Sequence, residues 1–207
     1  MNTDYLLSLL KEYKLIMAEN RDYLISLDSV VGDGDLGLTM GDGFAAAYEA
    51  VRDGAEKDAG KLLYTAGKAM STAVPSTMGT LMASGLMQAG KVLKGKTELE
   101  PDDLLNAFQA YQDGVQNRGK AQIGDKTFLD GWAPAVEAVR AAIAAGEDMK
   151  AVSAKAYEAA EKGFKNTTAM IAKHGRAATR GEASRALEDP GAAVAMLLMK
   201  AFLKSFS

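Results

Sequence analysis

The chain of 207 residues contains no cysteine, a single histidine, one tryptophan and four prolines. Without cysteine there are no disulfides, no thiol nucleophile and no thiolate-bound metal. Aromatic residues make up only 7%, while alanine, leucine and methionine are abundant, which favours helix over sheet. A net charge of −3 is too mild to imply a polyanionic partner and argues against nucleic acid. The opening residues, Met1 to Lys11, mix charge with leucine and show no cleavage pattern, so a cytoplasmic location is the expectation. No ionised side chain lies between Lys68 and Lys91, yet that stretch carries Ser71, Thr72, Pro75, Ser76, Thr77, Thr80, Ser84 and Gln88. So much polarity fits a buried helix pair broken by a turn and not a membrane span.

What is present gathers around Leu27-Asp28-Ser29-Val30-Val31-Gly32-Asp33-Gly34-Asp35-Leu36-Gly37, where three carboxylates fall within eight residues. Glycine reaches φ > 0 at little steric cost, so the run can fold back and aim Asp28, Asp33 and Asp35 at one point. Two like charges at ~4 Å and an effective dielectric of ~20 repel by about 4 kcal/mol. Such a cluster persists if it protonates, stays splayed in water or holds a cation. All-oxygen ligation suits Mg²⁺ or Ca²⁺. A plain solvated turn has the same composition. An EF-hand is excluded because Phe44 stands at the closing position, and a Walker A loop because no Gly-Lys-Ser/Thr follows.

Apolar residues spaced three and four apart from Leu6 to Leu27 predict one long first helix. Further helices are predicted from near Leu38 past Val51, over Ala59 to Ala73, from Thr77 to Leu93, and from Pro101 past Val115. Three more run from near Leu129 past Ile143, from Asp148 to about Lys173, and from Pro190 past Phe202. With no credible strand, linker or fixed-period repeat, the expectation is one all-α domain over 1–207: an eight-helix antiparallel bundle. Four polar or glycine-bearing loops (Gly32–Gly37, Pro75–Gly79, Gly119–Thr127 and Lys173–Pro190) each precede a helix. In an up-down bundle they would share one end, with helix N-termini facing a phosphate there. Beside three carboxylates a phosphate requires a bridging divalent cation, which points to a Mg-nucleotide site.

These residues form recognisable motifs. Leu27-Asp28…Gly32-Asp33-Gly34-Asp35-x-Gly37 resembles the metal motif of the nucleotide-binding L subunit of dihydroxyacetone kinase. Gly124-Asp125-Lys126-Thr127-Phe128-Leu129-Asp130 and Gly175-Arg176-Ala177-Ala178-Thr179-Arg180-Gly181-Glu182-x-Ser184…Asp189-Pro190-Gly191-Ala192 are similar to two further blocks of that family. The resemblance spans nearly the whole chain. It implies an eight-helix antiparallel barrel with ADP or ATP in its mouth and two Mg²⁺ held by Asp28, Asp33 and Asp35. Leu36, Gly37, Leu38 and Thr39 would then follow the phosphates and ribose, and Thr77 and Met78 would offer backbone amides. Gly119, Phe128, Arg176, Asp189 and Pro190 would line the adenosine or the phosphate rim. The activity implied is phosphoryl transfer to a short ketose bound on a separate K subunit, in a homodimer or hetero-oligomer. The donor would be ATP itself or a phosphotransferase-system protein recharging bound ADP.

Two departures stand out: Leu36 where many members have His or Thr, and Pro75-Ser76-Thr77-Met78-Gly79 where the family has Gly-Gly-x-Ser-Gly. They leave open a tetrulose acceptor, or a nucleotide-loaded sensor docking on a transcriptional regulator. A fatty-acid-kinase type usually carries Pro-Asp-Gly-Asp-Thr-Gly at the metal motif, unlike residues 32–37 here. His174 reads as a loop residue and not a catalyst. Lys126 is open between pairing locally, with Asp125 or with Asp130 one turn on, and touching phosphate.

Overall fold

The computed structural model describes residues 1–206. Among them there are nine α-helices, two 3-10 segments and no strand, only an isolated bridge between Asn2 and Glu98. The chain is all-α, as its composition implies. By its internal contacts it forms two units interleaved along the sequence: Met1–Ala18 with Thr39–Gly119, and Glu19–Leu38 with Lys120–Ser207.

The first unit contains α1 (Thr3–Glu19), most of α3 (Leu36–Glu49), α4 (Ala59–Ala73), α5 (Thr77–Val92) and α6 (Pro101–Gly119). Starts are set by capping: the Asp58 carboxylate accepts the N–H groups of Gly60 and Lys61, and the Ser76 hydroxyl accepts that of Gly79. Leu62, Leu86, Leu104 and Met82 are all within 2% of full burial. Each such side chain contributes about 1.5–3 kcal/mol. The uncharged stretch is therefore the end of α4 and all but the last turn of α5, a buried pair broken at 74–76. No helix among the described residues is long and apolar enough to cross a membrane.

The second unit holds α2 (Arg21–Val31), α7 (Phe128–Ala144), α8 (Met149–Asn166) and α9 (Pro190–Lys204), with α7, α8 and α9 packed on one another. Close approach depends on small residues. A Cβ on Gly163 would stand 2.3 Å from the Asp130 carbonyl oxygen, and one on Gly131 would stand 2.8 Å from that of Ala192. The N-terminus of α9 is capped by Asp189, which accepts the Ala192 N–H at 2.7 Å, with Pro190 opening the helix.

Among the described residues the expected eight α-helices are nine. The long first helix divides at Asn20 (φ −106°, ψ 17°), between α1 and α2, where the chain passes from one unit to the other. The apolar series skips one step there, from Met17 to Leu24 with Asn20 and Arg21 between, and a single missing step does not by itself separate a break from a continuous helix. Asn20 competes poorly as a helix interior residue and tolerates the break. The helix expected to reach Lys173 ends at Asn166, and a 3-10 turn at Thr167–Ala169 follows. There the Thr167 hydroxyl turns back to the Phe164 carbonyl at 2.6 Å. A second 3-10 segment, Arg176–Ser184, lies inside what reads as a polar loop.

Candidate functional site: an aspartate cluster facing an arginine loop

The last turn of α2 carries Asp28, and the chain must reverse at once to start α3. The Gly32 N–H still bonds the Asp28 carbonyl at 2.5 Å, after which Gly34 takes φ 78°, a conformation costly for any residue with a Cβ. Gly37 then lets the start of α3 press against α2: a Cβ there would lie 2.1 Å from the Arg21 carbonyl oxygen. The result is that Asp28, Asp33 and Asp35 each direct one carboxylate oxygen into a space where these atoms lie within 4.8 Å of one another. Asp28 is half-buried; Asp33 and Asp35 are exposed. The Leu36 N–H, at the N-terminus of α3, points at the Asp28 carboxylate at 3.3 Å.

Electrostatics follow from this crowding. The Asp35 carboxyl is pushed up by partial desolvation first, then by the neighbouring charges of Asp33 and Asp28, while Arg176 opposes the rise. Arg176 also pairs directly with Asp33, Nη2 to Oδ2 at 2.5 Å. Three hard oxygen donors that repel one another are a set suited to a divalent cation such as Mg²⁺.

The loop bearing Arg176 is moored beside it. The buried Asp125 carboxylate accepts from Lys173 Nζ at 2.8 Å and from the Gln122 N–H at 2.7 Å, and faces His174 Nε2 at 3.1 Å. These contacts, Lys173 first, hold its pKa down at about 2. His174 is thus a loop residue, as expected, with a mooring role its sequence position did not reveal.

Lys126 touches no carboxylate. Its φ is 62°, it is 2% exposed, and its ammonium donates to the carbonyls of Thr167, Met170, Ser184 and Leu187 at 2.6–3.3 Å. Of the alternatives left open for Lys126, neither the Asp125 nor the Asp130 pair forms, and Asp130 instead belongs to a capping box. Asp130 accepts from Thr127 N–H at 2.7 Å and Gly124 N–H at 2.5 Å, and the Thr127 hydroxyl accepts from Leu129 N–H. The Thr-x-x-Asp spacing ahead of an apolar run is a legible signal for that box. Nothing in the sequence marks four carbonyls from two distant segments as the target of Lys126.

Other anticipated residues are placed as follows. Phe128 is 2% exposed with its ring stacked on Trp132 at 5.3 Å between centroids. Asp189 and Pro190 are buried at the start of α9, whose Gly191 abuts the Phe128 backbone N–H, so the N-termini of α7 and α9 lie side by side. Burial and the charge of Asp130 raise the Asp189 carboxyl to about 7. Leu36 and Gly37 are buried and Leu38 is exposed. In the other unit, Thr39 is buried, Thr77 is the exposed first residue of α5, and Met78 and Gly119 are half-buried. The second unit by itself therefore brings together Asp28, Asp33, Asp35 and Arg176, and separately Phe128, Asp189 and Pro190.

The chain is all-helical, with an acidic trio facing an arginine and, apart from them, the N-termini of α7 and α9 side by side. The chain belongs to the DAK2 domain family, which matches residues 30–204 and so runs through both units. It is 34% identical over 185 residues to the PEP-dependent dihydroxyacetone kinase ADP-binding subunit DhaL of Escherichia coli K12, covering 89% of this chain and 88% of that one. It is 31% identical over 207 residues to the corresponding subunit of kinase 2 of Listeria innocua, covering 99% and 95%. An L-erythrulose 1-kinase of Mycolicibacterium smegmatis is 34% identical over 200 residues, covering 95% of this chain and 34% of that one. The fold matches the crystal structure of the dihydroxyacetone kinase of C. freundii with a TM-score of 0.74 at 21% identity, covering 97% of this chain and 34% of that one.

Proposed function

We propose that this chain is the nucleotide-binding subunit of a dihydroxyacetone-type kinase, and that it presents a phosphoryl group to a short ketose held on a separate K subunit. The observation that carries this is the convergence of Asp28, Asp33 and Asp35 opposite Arg176, in a chain whose relatives are named as ADP-binding kinase subunits. The three aspartates would hold Mg²⁺, two ions in the fullest form of this proposal. The bound metal supplies charge neutralisation for the phosphates of ADP or ATP. Phosphoryl transfer depends on alignment and electrostatic stabilisation more than on covalent chemistry.

The chain's own residues would divide that work. Asp28 is fixed by the Leu36 N–H, while Asp33 and Asp35 are presented by the glycine turn. The Arg176 fork suits phosphate oxygens. Within the second unit Gly37, Leu38, Phe128, Asp189 and Pro190 would border the nucleotide through backbone or side chain; Thr39, Thr77, Met78 and Gly119, which the family resemblance adds as nucleotide contacts, belong to the first unit. No group of this chain is assigned to take the ketose proton as the O–P bond forms; that role falls to the K subunit. Relatives matched over 88–96% of their own length carry PEP- or PTS-dependent names, which supports ADP being kept and recharged by a phosphotransferase-system protein. A single nucleotide-binding domain over 1–207, a cytoplasmic location and assembly as a homodimer or hetero-oligomer complete the proposal.

A four-carbon ketose is the second reading of the acceptor, favoured by the identity to an L-erythrulose 1-kinase. Titration calorimetry with ADP and Mg²⁺ tests the site: wild type binds, and Asp33→Asn or Asp35→Asn loses affinity by about 100-fold or more, two charge-assisted contacts' worth. Unchanged affinity in both variants refutes it. Reconstitution with a K subunit, comparing dihydroxyacetone with erythrulose, identifies the acceptor.

A further inference from the structure

Arg176 and Asp33 form the shortest ion pair that faces the cluster, yet Arg176 is 67% and Asp33 41% exposed on their side chains. An exposed pair contributes only ~0–1 kcal/mol, so this contact is readily given up. The segment that carries Arg176 is built to allow it. Its ends are pinned: Lys173 and His174 sit on Asp125, the Ser184 hydroxyl accepts the Ala172 N–H at 2.9 Å, and the Ser184 carbonyl accepts from Lys126. Between those pins, residues 175–183 are exposed or half-buried, and Gly175 (φ 64°) and Gly181 (φ 51°) supply two backbone positions free of Cβ strain.

We propose that Arg176 is an exchangeable counter-ion of the aspartate cluster: it pairs with Asp33 in the metal-free protein and transfers to the nucleotide phosphates when Asp33 takes up a divalent cation. This rests on the Mg-nucleotide reading above. With a divalent cation on the cluster, a guanidinium held on either Asp33 oxygen is driven away, since +1 and +2 charges ~4 Å apart at an effective dielectric of ~20 repel by about 8 kcal/mol. Released from Asp33, Arg176 is free to take another anion, and a phosphate accepts its fork in two parallel hydrogen bonds. Bare cation binding therefore leaves Arg176 without a partner, whereas binding of metal together with nucleotide does not. Arg176 couples the two ligands, disfavouring metal alone and favouring the pair.

The test measures Mn²⁺ binding without nucleotide by electron paramagnetic resonance, and MgADP binding by calorimetry. Arg176→Gln is expected to tighten Mn²⁺ alone by roughly 2–5-fold and to weaken MgADP by about 10-fold, the opposite signs following from exchange. Arg176→Lys, which keeps the charge, should leave the Mn²⁺ affinity within about twofold of wild type. Amide exchange over 175–183 should quicken with Mg²⁺ alone and slow with MgADP in wild type, and not respond to Mg²⁺ alone in Arg176→Gln. Changes of one sign in both affinities, or no change in bare Mn²⁺ binding, overturn the exchange. Failure of the underlying site is a distinct result: MgADP would then bind Asp33→Asn as tightly as wild type.

Discussion

The ammonium of Lys173 stands 2.8 Å from the buried carboxylate of Asp125, and the two segments are also joined by the Lys173 N–H bonding the Asp125 carbonyl at 3.1 Å. Asp125 thus acts as a post to which the approach to Arg176 is tied. The folded pKa of about 2 lies below the ordinary carboxylate value, so the ionised form is favoured in the fold. Its stabilisation is full above about pH 5 and is lost as pH falls from about 4 through 2. Because Lys173 is mostly exposed, Asp125→Asn should cost only about 1–2 kcal/mol at pH 7, shrinking toward zero near pH 2. Urea unfolding at the two pH values measures this, and the variant's 175–183 segment should be cut faster by protease.

Asp189 behaves in the opposite sense. Burial, then the nearby charge of Asp130, lifts its carboxyl to about 7, against the pull of the Ala192 N–H. The fold therefore binds a proton that the unfolded chain has already lost between about pH 4 and 7, and stability falls as pH rises through that window. Asn at this position keeps a capping oxygen and cannot ionise. Asp189→Asn should remove ~1–3 kcal/mol of that pH dependence, read from thermal melts between pH 4.5 and 8.

The ammonium of Lys126 ties the 167–170 turn to the carbonyls of Ser184 and Leu187. Lys126→Met fills the same space with an apolar chain and leaves four carbonyls short of a donor. The expected loss is about 3–5 kcal/mol, since buried acceptors would go unsatisfied. A matching drop in denaturation midpoint, with slower-moving α7 and α8 amides least affected, would be the observation.

At Gly37 the backbone of α3 lies against that of α2 with no room for a methyl group. Gly37→Ala forces the helices apart and spreads Asp33 and Asp35 from Asp28. Affinity for MgADP should fall by about 10-fold or more, alongside ~1–3 kcal/mol of lost stability from overpacking. The same substitution at Gly41, inside α3 where a Cβ meets nothing within 4 Å, should leave MgADP affinity unchanged and raise stability by about 0.5–1 kcal/mol.

Capping and periodicity act over four residues or fewer, and those features were legible. Asp58, Ser76, Asp148 and Asp189 each start a helix, and the bounds of α4 and α5 fall within a residue of the spacing-based expectation. The glycine-separated aspartates also announced their convergence, because a short chain with φ > 0 at Gly34 has few other ways to turn. The break at Asn20 showed only as one missing apolar step at residues 20 and 21, too little to separate it from a continuous helix; what sets it is the passage of the chain from one unit to the other. Nor were the cage around Lys126, the post at Asp125 or the Arg176–Asp33 pair, each joining residues 41 to 143 positions apart. The sequence by itself determined the helices, their starts and the acidic trio. Which cation faces that trio, and what moors it, was decided only when distant segments were packed together, because a charge selects its partner by distance in space and not along the chain.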